Sequence, residues 1–113
     1  MKDMNLSVEG AQAAMHCLNS TKVNKLAELR VHSGFMRLVK TNCMEETERV
    51  IPTQNGMQTV KDQQFKPGIL SGDKTSWEML QDWAKARLSE GLPGVLVLGY
   101  SELFEALEQA LKD

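Results

Sequence analysis

Four side chains in this sequence have the chemistry of metal ligands, or of a nucleophile with its base: His16, Cys17, His32 and Cys43. Imidazole nitrogens and thiolate sulfurs hold zinc when several converge on one point. Their spacing argues against convergence. His16 and Cys17 are neighbours on a stretch that reads as helix, so their side chains diverge by about 100°. Neither a CxxC nor an HxxxH spacing occurs. Cys43 could pair with His32 as thiol and imidazole only if the fold brought them together. The carboxylates of Glu45, Glu46 and Glu48 would then raise the thiol pKa rather than lower it. Small buried apolar groups are the simpler account of both cysteines, and no metal or other cofactor is expected.

Phosphate chemistry fares no better. Gly68-Ile69-Leu70-Ser71-Gly72-Asp73-Lys74-Thr75 resembles a P-loop at first sight, but that motif places four residues between its glycines and Lys directly after the second. Here one residue is missing and Asp73 intervenes, setting a negative charge where phosphate would sit. Gly99-Tyr100-Ser101 could offer backbone N–H groups to an anion, although Ser101 as an ordinary helix cap explains it more simply. Ser101 also lacks the trailing glycine of a nucleophile elbow. No catalytic constellation is legible.

Charge is segregated. Lys22, Lys25, Arg30, Arg37 and Lys40 fall in one stretch against the single Glu28, a composition suited to phosphate backbones or to a solvated face. Lys25-Leu26-Ala27-Glu28-Leu29 echoes the first helix of a helix-turn-helix, but the turn glycine is absent and Val31-His32-Ser33-Gly34 is wrongly spaced for a recognition helix. At the other end Glu90, Glu102, Glu105, Glu108 and Asp113 face only Lys112 and Arg87. Such a chain can satisfy its charges internally or pair head to tail with a second copy. The methionines at 4, 15, 36, 44, 57 and 79 suit core filling, or an adaptable interaction groove.

The elements that must position these residues fit one domain. The chain has 113 residues, 42% of them hydrophobic and 25% charged, with a net charge of −2. A domain of this length buries roughly 65% of its unfolded surface and needs no staples. The near-neutral balance exerts no global pull on nucleic acid or anionic lipid. Two cysteines are too few for a disulfide framework, no apolar run approaches the ~18 residues of a membrane span, and Asp3 sits where a signal peptide wants a base. A cytoplasmic chain without membrane partners is expected.

Ser7 reads as the cap of a first helix with Glu9 in its first turn, an apolar stripe Val8, Ala11, Met15 and Leu18, and a break at Asn19-Ser20-Thr21. From Lys22 a short helix to about Glu28 is expected. Strands over 29–32 and 35–41 then turn at Ser33-Gly34, so that Val31 faces Met36 and Leu29 faces Leu38. Residues 42–48 read as an acidic loop. Asn55-Gly56 between Arg49-Val50-Ile51 and the segment 57–62 is the clearest hairpin signal, with Pro52 marking an edge. A further strand follows over 65–70, interrupted by Pro67-Gly68.

Thr75 and Glu78 form a capping box for a helix burying Trp77, Leu80, Ala84 and Leu88, with Trp83 at the margin. Gly91-Leu92-Pro93-Gly94 ends it, Val95–Leu98 reads as a central strand, and Ser101 starts a last helix with Leu103, Phe104, Leu107, Ala110 and Leu111 inward.

The segment 65–111 resembles the SseB N-terminal-type domain family. The matching residues are the strand over 65–70, Trp77-Glu78-Met79-Leu80 with Trp83, the apolar run 95–98, and Leu103-Phe104-Glu105-Ala106-Leu107. The chain stops where that family continues into a strand with an Asn-Pro turn. The resemblance implies an α+β domain in a regulatory or interaction role, and it carries over no site residues.

The fold class expected is therefore α+β: one domain over 1–113, with a small, mostly antiparallel sheet and three or four helices packed largely on one face. The function expected is a non-enzymatic protein-interaction module, an adaptor, chaperone-like partner or inhibitor, whose partner is another protein or a second copy of itself in a homodimer. Its contact residues would be Pro52, Asn55 and Gly56 at the sheet edge, or Trp83. The alternative is a nucleic-acid-binding regulator using Lys22, Lys25, Arg30, Arg37 and Lys40. A second alternative is a small-molecule binder with Trp77, Trp83 and Tyr100 lining an apolar pocket.

Overall fold

The Ser7 side chain accepts a hydrogen bond from the Gly10 N–H at 3.0 Å, and from that cap the first helix starts as its sequence demands. The computed structural model describes residues 2–112. It runs β1 (Lys2–Leu6), α1 (Val8–Ser20), α2 (Leu26–Asn42), β2 (Met44–Thr53), β3 (Gly56–Phe65), β4 (Gly68–Gly72), α3 (Lys74–Glu90) and α4 (Gly94–Leu111). The α+β class holds, with the antiparallel strands divided between two two-stranded sheets, β1–β4 and β2–β3. Among the described residues no helix is long and apolar enough to cross a membrane.

β1 alternates as a half-buried strand should, with Met4 and Leu6 inward and Lys2, Asp3 and Asn5 outward. Its register on β4 sets Met4 opposite Leu70, both buried. β1 and β4 form part of the core's wall with Met4, Leu6 and Leu70, and four helices supply most of the rest. Ala11, Ala13, Ala14, Cys17 and Leu18 come from α1, Phe35 and Val39 from α2, Trp77, Leu80 and Ala84 from α3, and Tyr100, Leu103, Leu107 and Ala110 from α4. Phe35 and Trp77 stack at 5.0 Å between centroids. A core built around small residues on α1 lets its partner helices approach closely.

Several local expectations are corrected. Residues 29–41 are not a hairpin turning at Ser33-Gly34 but the body of α2. Its inward stripe is Val31, Phe35 and Val39, four residues apart, while the line through Leu29, Ser33 and Arg37 is too polar to bury. The acidic segment 44–48 is strand, not loop, because β2 begins at Met44. The cap of α3 is Asp73, whose carboxylate accepts from the Ser76 N–H at 2.8 Å, so Thr75 lies inside the first turn. Leu88 is 52% exposed rather than part of the buried stripe.

The largest correction concerns Val95–Leu98. That run is the first turn of α4, continuous to Leu111, with Ser101 in its interior and Pro93 fixing the entry backbone at φ −57°. A four-residue run that is apolar at every position carries no period and cannot distinguish a strand from a helix.

Candidate functional site

The hairpin β2–β3 touches the body only lightly, through α2 and α1. Its two strands pair over ten residues each, from Met44↔Phe65 to Thr53↔Gly56. At about 3.4 Å per residue that is an arm of roughly 34 Å. The molecule's extents of 56 × 29 × 27 Å reflect it. From Met44 to Phe65 not one residue is buried, while Met44 and Phe65 at the base are half-covered by the body. Neither strand pairs with a third among the described residues, so both outer edges present free backbone donors and acceptors.

The sequence makes this arm by register alone. Gln54 and Asn55 form the two-residue turn, and Gly56 follows at φ 117°, where a side chain would be strained. The expected turn is therefore present, one residue earlier than Asn55-Gly56. Thr53 ties it with a 2.8 Å bond from its hydroxyl to the Gly56 carbonyl. Below the tip, Arg49 pairs with Asp62 at 2.7 Å on one face, where Gln64 also donates to Glu45 at 3.1 Å. Lys61 reaches Glu46 at 4.0 Å on the other. These exposed pairs contribute little stability each but discourage slippage.

The tip has a different character. From Val50 to Val60 there is no charged residue. Pro52 lies directly across from Met57, with Val50 two residues below on the same face. Met57 is 71% exposed and Val50 56%. The Pro52, Asn55 and Gly56 singled out from the sequence thus sit together at one apolar, uncharged tip. Val50 and Met57 belong with them and were missed; their signal was the uncharged run flanking the turn. Trp83 is elsewhere, half-buried on α3 with its ring edge-on to His32 on α2 at 5.6 Å.

Three of the five cations lie on α2 and two in the segment before it. Lys22, Lys25, Arg30, Arg37 and Lys40 are all exposed, and none makes an ion pair among the described residues. Arg30, Gly34 and Arg37 follow one line along the helix, with Lys40 beside it and the exposed Leu26 and Leu29 at its start. Gly34 is the midpoint of that line, and a Cβ built there meets nothing within 4 Å.

The remaining candidates are dispersed. His16 Nδ1 shares a 2.7 Å hydrogen bond with the Tyr100 hydroxyl, and His32 Nε2 donates to the Leu18 carbonyl at 2.6 Å. Burial pushes the Cys17 thiol up to about 11, against the opposing pull of the Thr21 hydroxyl and the Arg87 charge. Burial also raises Cys43, with Lys66 opposing it, so the cause is lost hydration rather than the nearby glutamates. Among the described residues no three His, Cys, Asp or Glu side chains gather as a metal site.

Trp77 is wholly buried against Phe35, Tyr100 is buried against His16, and Trp83 packs on His32. The three aromatics therefore do not line one pocket. Tyr100 alone reaches a shallow apolar depression of about 390 Å³ between the end of α3 and α4, walled by Leu88, Leu92, Val97 and Phe104.

No protein-family model matches this chain, and neither a curated protein nor a solved structure matches it.

Proposed function

We propose that this chain is a protein-interaction module and not an enzyme, and that the β2–β3 arm is its contact element. One observation carries the reading: a hairpin of ten residues per strand buries none of its own side chains and ends in an uncharged apolar tip. Beyond Met44 and Phe65 at its base, such an element adds little to the chain's own core. An extended two-stranded arm is instead suited to lie on a second surface, its tip supplying apolar anchors and its free edges supplying main-chain hydrogen bonds.

The test is a capture experiment on the full chain with Met57→Asp and Val50→Asp. Both positions are exposed, so the thermal midpoint should stay within about a degree or two of the parent. Loss of the captured protein at unchanged midpoint supports the reading. Undiminished capture by the doubly substituted chain removes the arm from the interaction.

A second reading is favoured by the unpaired cations of α2. A helix presenting Arg30, Arg37 and Lys40, with Lys22 and Lys25 before it, could neutralise the phosphates of a nucleic acid. Binding to a duplex or single strand would then weaken steeply as salt is added. It would also fall with Arg30→Glu and Arg37→Glu while ignoring Met57→Asp, an insensitivity that separates it from the first reading.

A further inference from the structure

We infer that the partner of the arm is a second copy of this chain, and that the arm lies along α2 of that copy in a two-fold dimer. This deepens the reading of the arm as a contact element and rests on it.

The inference starts from Gly34. A glycine inside a helix costs about 1 kcal/mol relative to alanine. Gly99 and Gly68 have evident reasons to be glycine, since backbone lies where their Cβ would stand, but Gly34 has none among the described residues. The space above it opens onto a depression of about 260 Å³ bordered by Val31, Phe35 and Leu38. A bare helix surface beside an apolar trough allows another main chain to approach closely.

The order of side chains along the two elements then matches. From the N-terminal end of α2 the exposed line reads Leu26 and Leu29, then Arg30, Gly34, Arg37 and Lys40. From the tip downward, one face of the arm reads Pro52 and Met57, then Val50, Glu48 and Glu46, with Lys61 the one cation on that face. Leu26 to Lys40 spans about 21 Å of helix. Pro52 to Glu46 spans about 20 Å of strand. Laid with Pro52 and Met57 over Leu29, Val50 reaches the trough at Gly34, Glu48 comes beside Arg37 and Glu46 reaches just past Lys40. The segment from 22 to 42 holds five cations against one acid, and the arm holds four acids against two cations. Asp73 also borders the trough, where it would repel an acid of the arm.

Chain connection closes the symmetry. In each copy the arm leaves the C-terminal end of α2 through Cys43. Putting the partner's arm base at that same end sets the two α2–β2 junctions side by side, and each arm then runs back over the other copy. Such a contact is isologous and self-terminating.

Sedimentation across a concentration series at low and high salt tests this on the intact chain. A dimer is expected at low salt, weakened by salt. Glu46→Lys with Glu48→Lys, or Arg37→Glu with Lys40→Glu, should each raise its dissociation constant by about tenfold or more, and the four changes in one chain should restore most of the affinity. Gly34→Gln should give a monomer at least as stable as the parent. A parent that stays monomeric throughout, or a combined variant no better than its halves, overturns the dimer.

A photocrosslinking residue in place of Met57 separates this failure from that of the interaction reading. Adducts joining two copies support the dimer. Adducts only to some other protein overturn it and leave the arm as a contact element. Adducts to no protein at all defeat both.

Discussion

Gly99 of α4 lies directly on the main chain of α1 at Glu9: a Cβ at position 99 would overlap the Glu9 carbonyl oxygen and stand 3.2 Å from the Ala13 side chain. The two helices meet here through Gly99 on one side and Ala13 on the other, both buried. Ser7 at the start of α1 also donates to the Glu102 carboxylate one turn further along α4. This contact holds the terminal helix onto the rest of the core.

Gly99→Ala should therefore destabilise the protein by about 2–3 kcal/mol, because backbone cannot move aside as a flexible side chain would. Gly34→Ala, where nothing lies within reach, should instead stabilise it by about 0.5–1 kcal/mol through helix propensity and a less disordered unfolded chain. Urea denaturation of the two variants reads both signs. A neutral Gly99→Ala would mean that α1 and α4 are not so close.

Asp73 should make acid weaken the start of α3. Its carboxyl is held below the ordinary 3.8 chiefly by the Ser76 N–H it accepts. A lowered native pKa favours the charged form in the folded state, so the contribution is present above 3.8 and is lost as pH falls below it. Asp73→Asn should keep most of the cap and lose this acid dependence, whereas Asp73→Ala should lose both. Circular dichroism melts between neutral and acid pH distinguish the three chains.

At the alkaline end the order reverses. Cys17 has an ordinary value of 9.0 and a native value of about 11, so both states hold the proton below pH 9. Above it the unfolded thiol ionises first, and stability falls as pH rises until the native value is passed. The loss from this group is at most about 3 kcal/mol. Tyr100, raised first by burial and then by the neighbouring Cys17, adds to the decline above its ordinary 10.0. Cys17→Ala should start from a lower midpoint, because it leaves a small cavity, but decline less steeply between pH 9 and 11. An unchanged slope would place the alkaline sensitivity elsewhere.

How far the sequence could be read depended on whether a residue's period or its partners decided its state. Ser7 and the turn just before Gly56 act through their immediate neighbours, and both were legible to within a residue. The length of the arm was not. Glu45, Glu46, Glu48 and Lys61 lie on strands with no buried face, so no alternation marks them. Val95, 88% exposed, and Leu98, 60% exposed, imitate a core strand only because apolar residues normally signal burial. α2 was obscured by Ser33-Gly34, which has the composition of a hairpin turn although it lies mid-helix. Pro52 and Met57 were legible as a hairpin, but that they stand clear of the body became evident only from the fold.

Removing the arm tests the separation of roles most directly. Residues 46–63 can be excised and the ends joined by a short glycine-containing turn, keeping Met44, Glu45, Gln64 and Phe65 so that the half-covered base stays closed. The Lys66 N–H to Cys43 carbonyl bond of 2.8 Å lies outside the excision and continues to fix the two ends. No buried side chain is lost, and shortening a loop lowers its closure entropy slightly. The shortened chain should thus melt within a few degrees of the parent, with its helical circular dichroism preserved. Amide exchange in the parent should run fast along both arm strands and slowly in α1 and α4, since the arm opens without exposing core. A shortened chain that fails to fold would make the hairpin part of the scaffold rather than an element carried for contact.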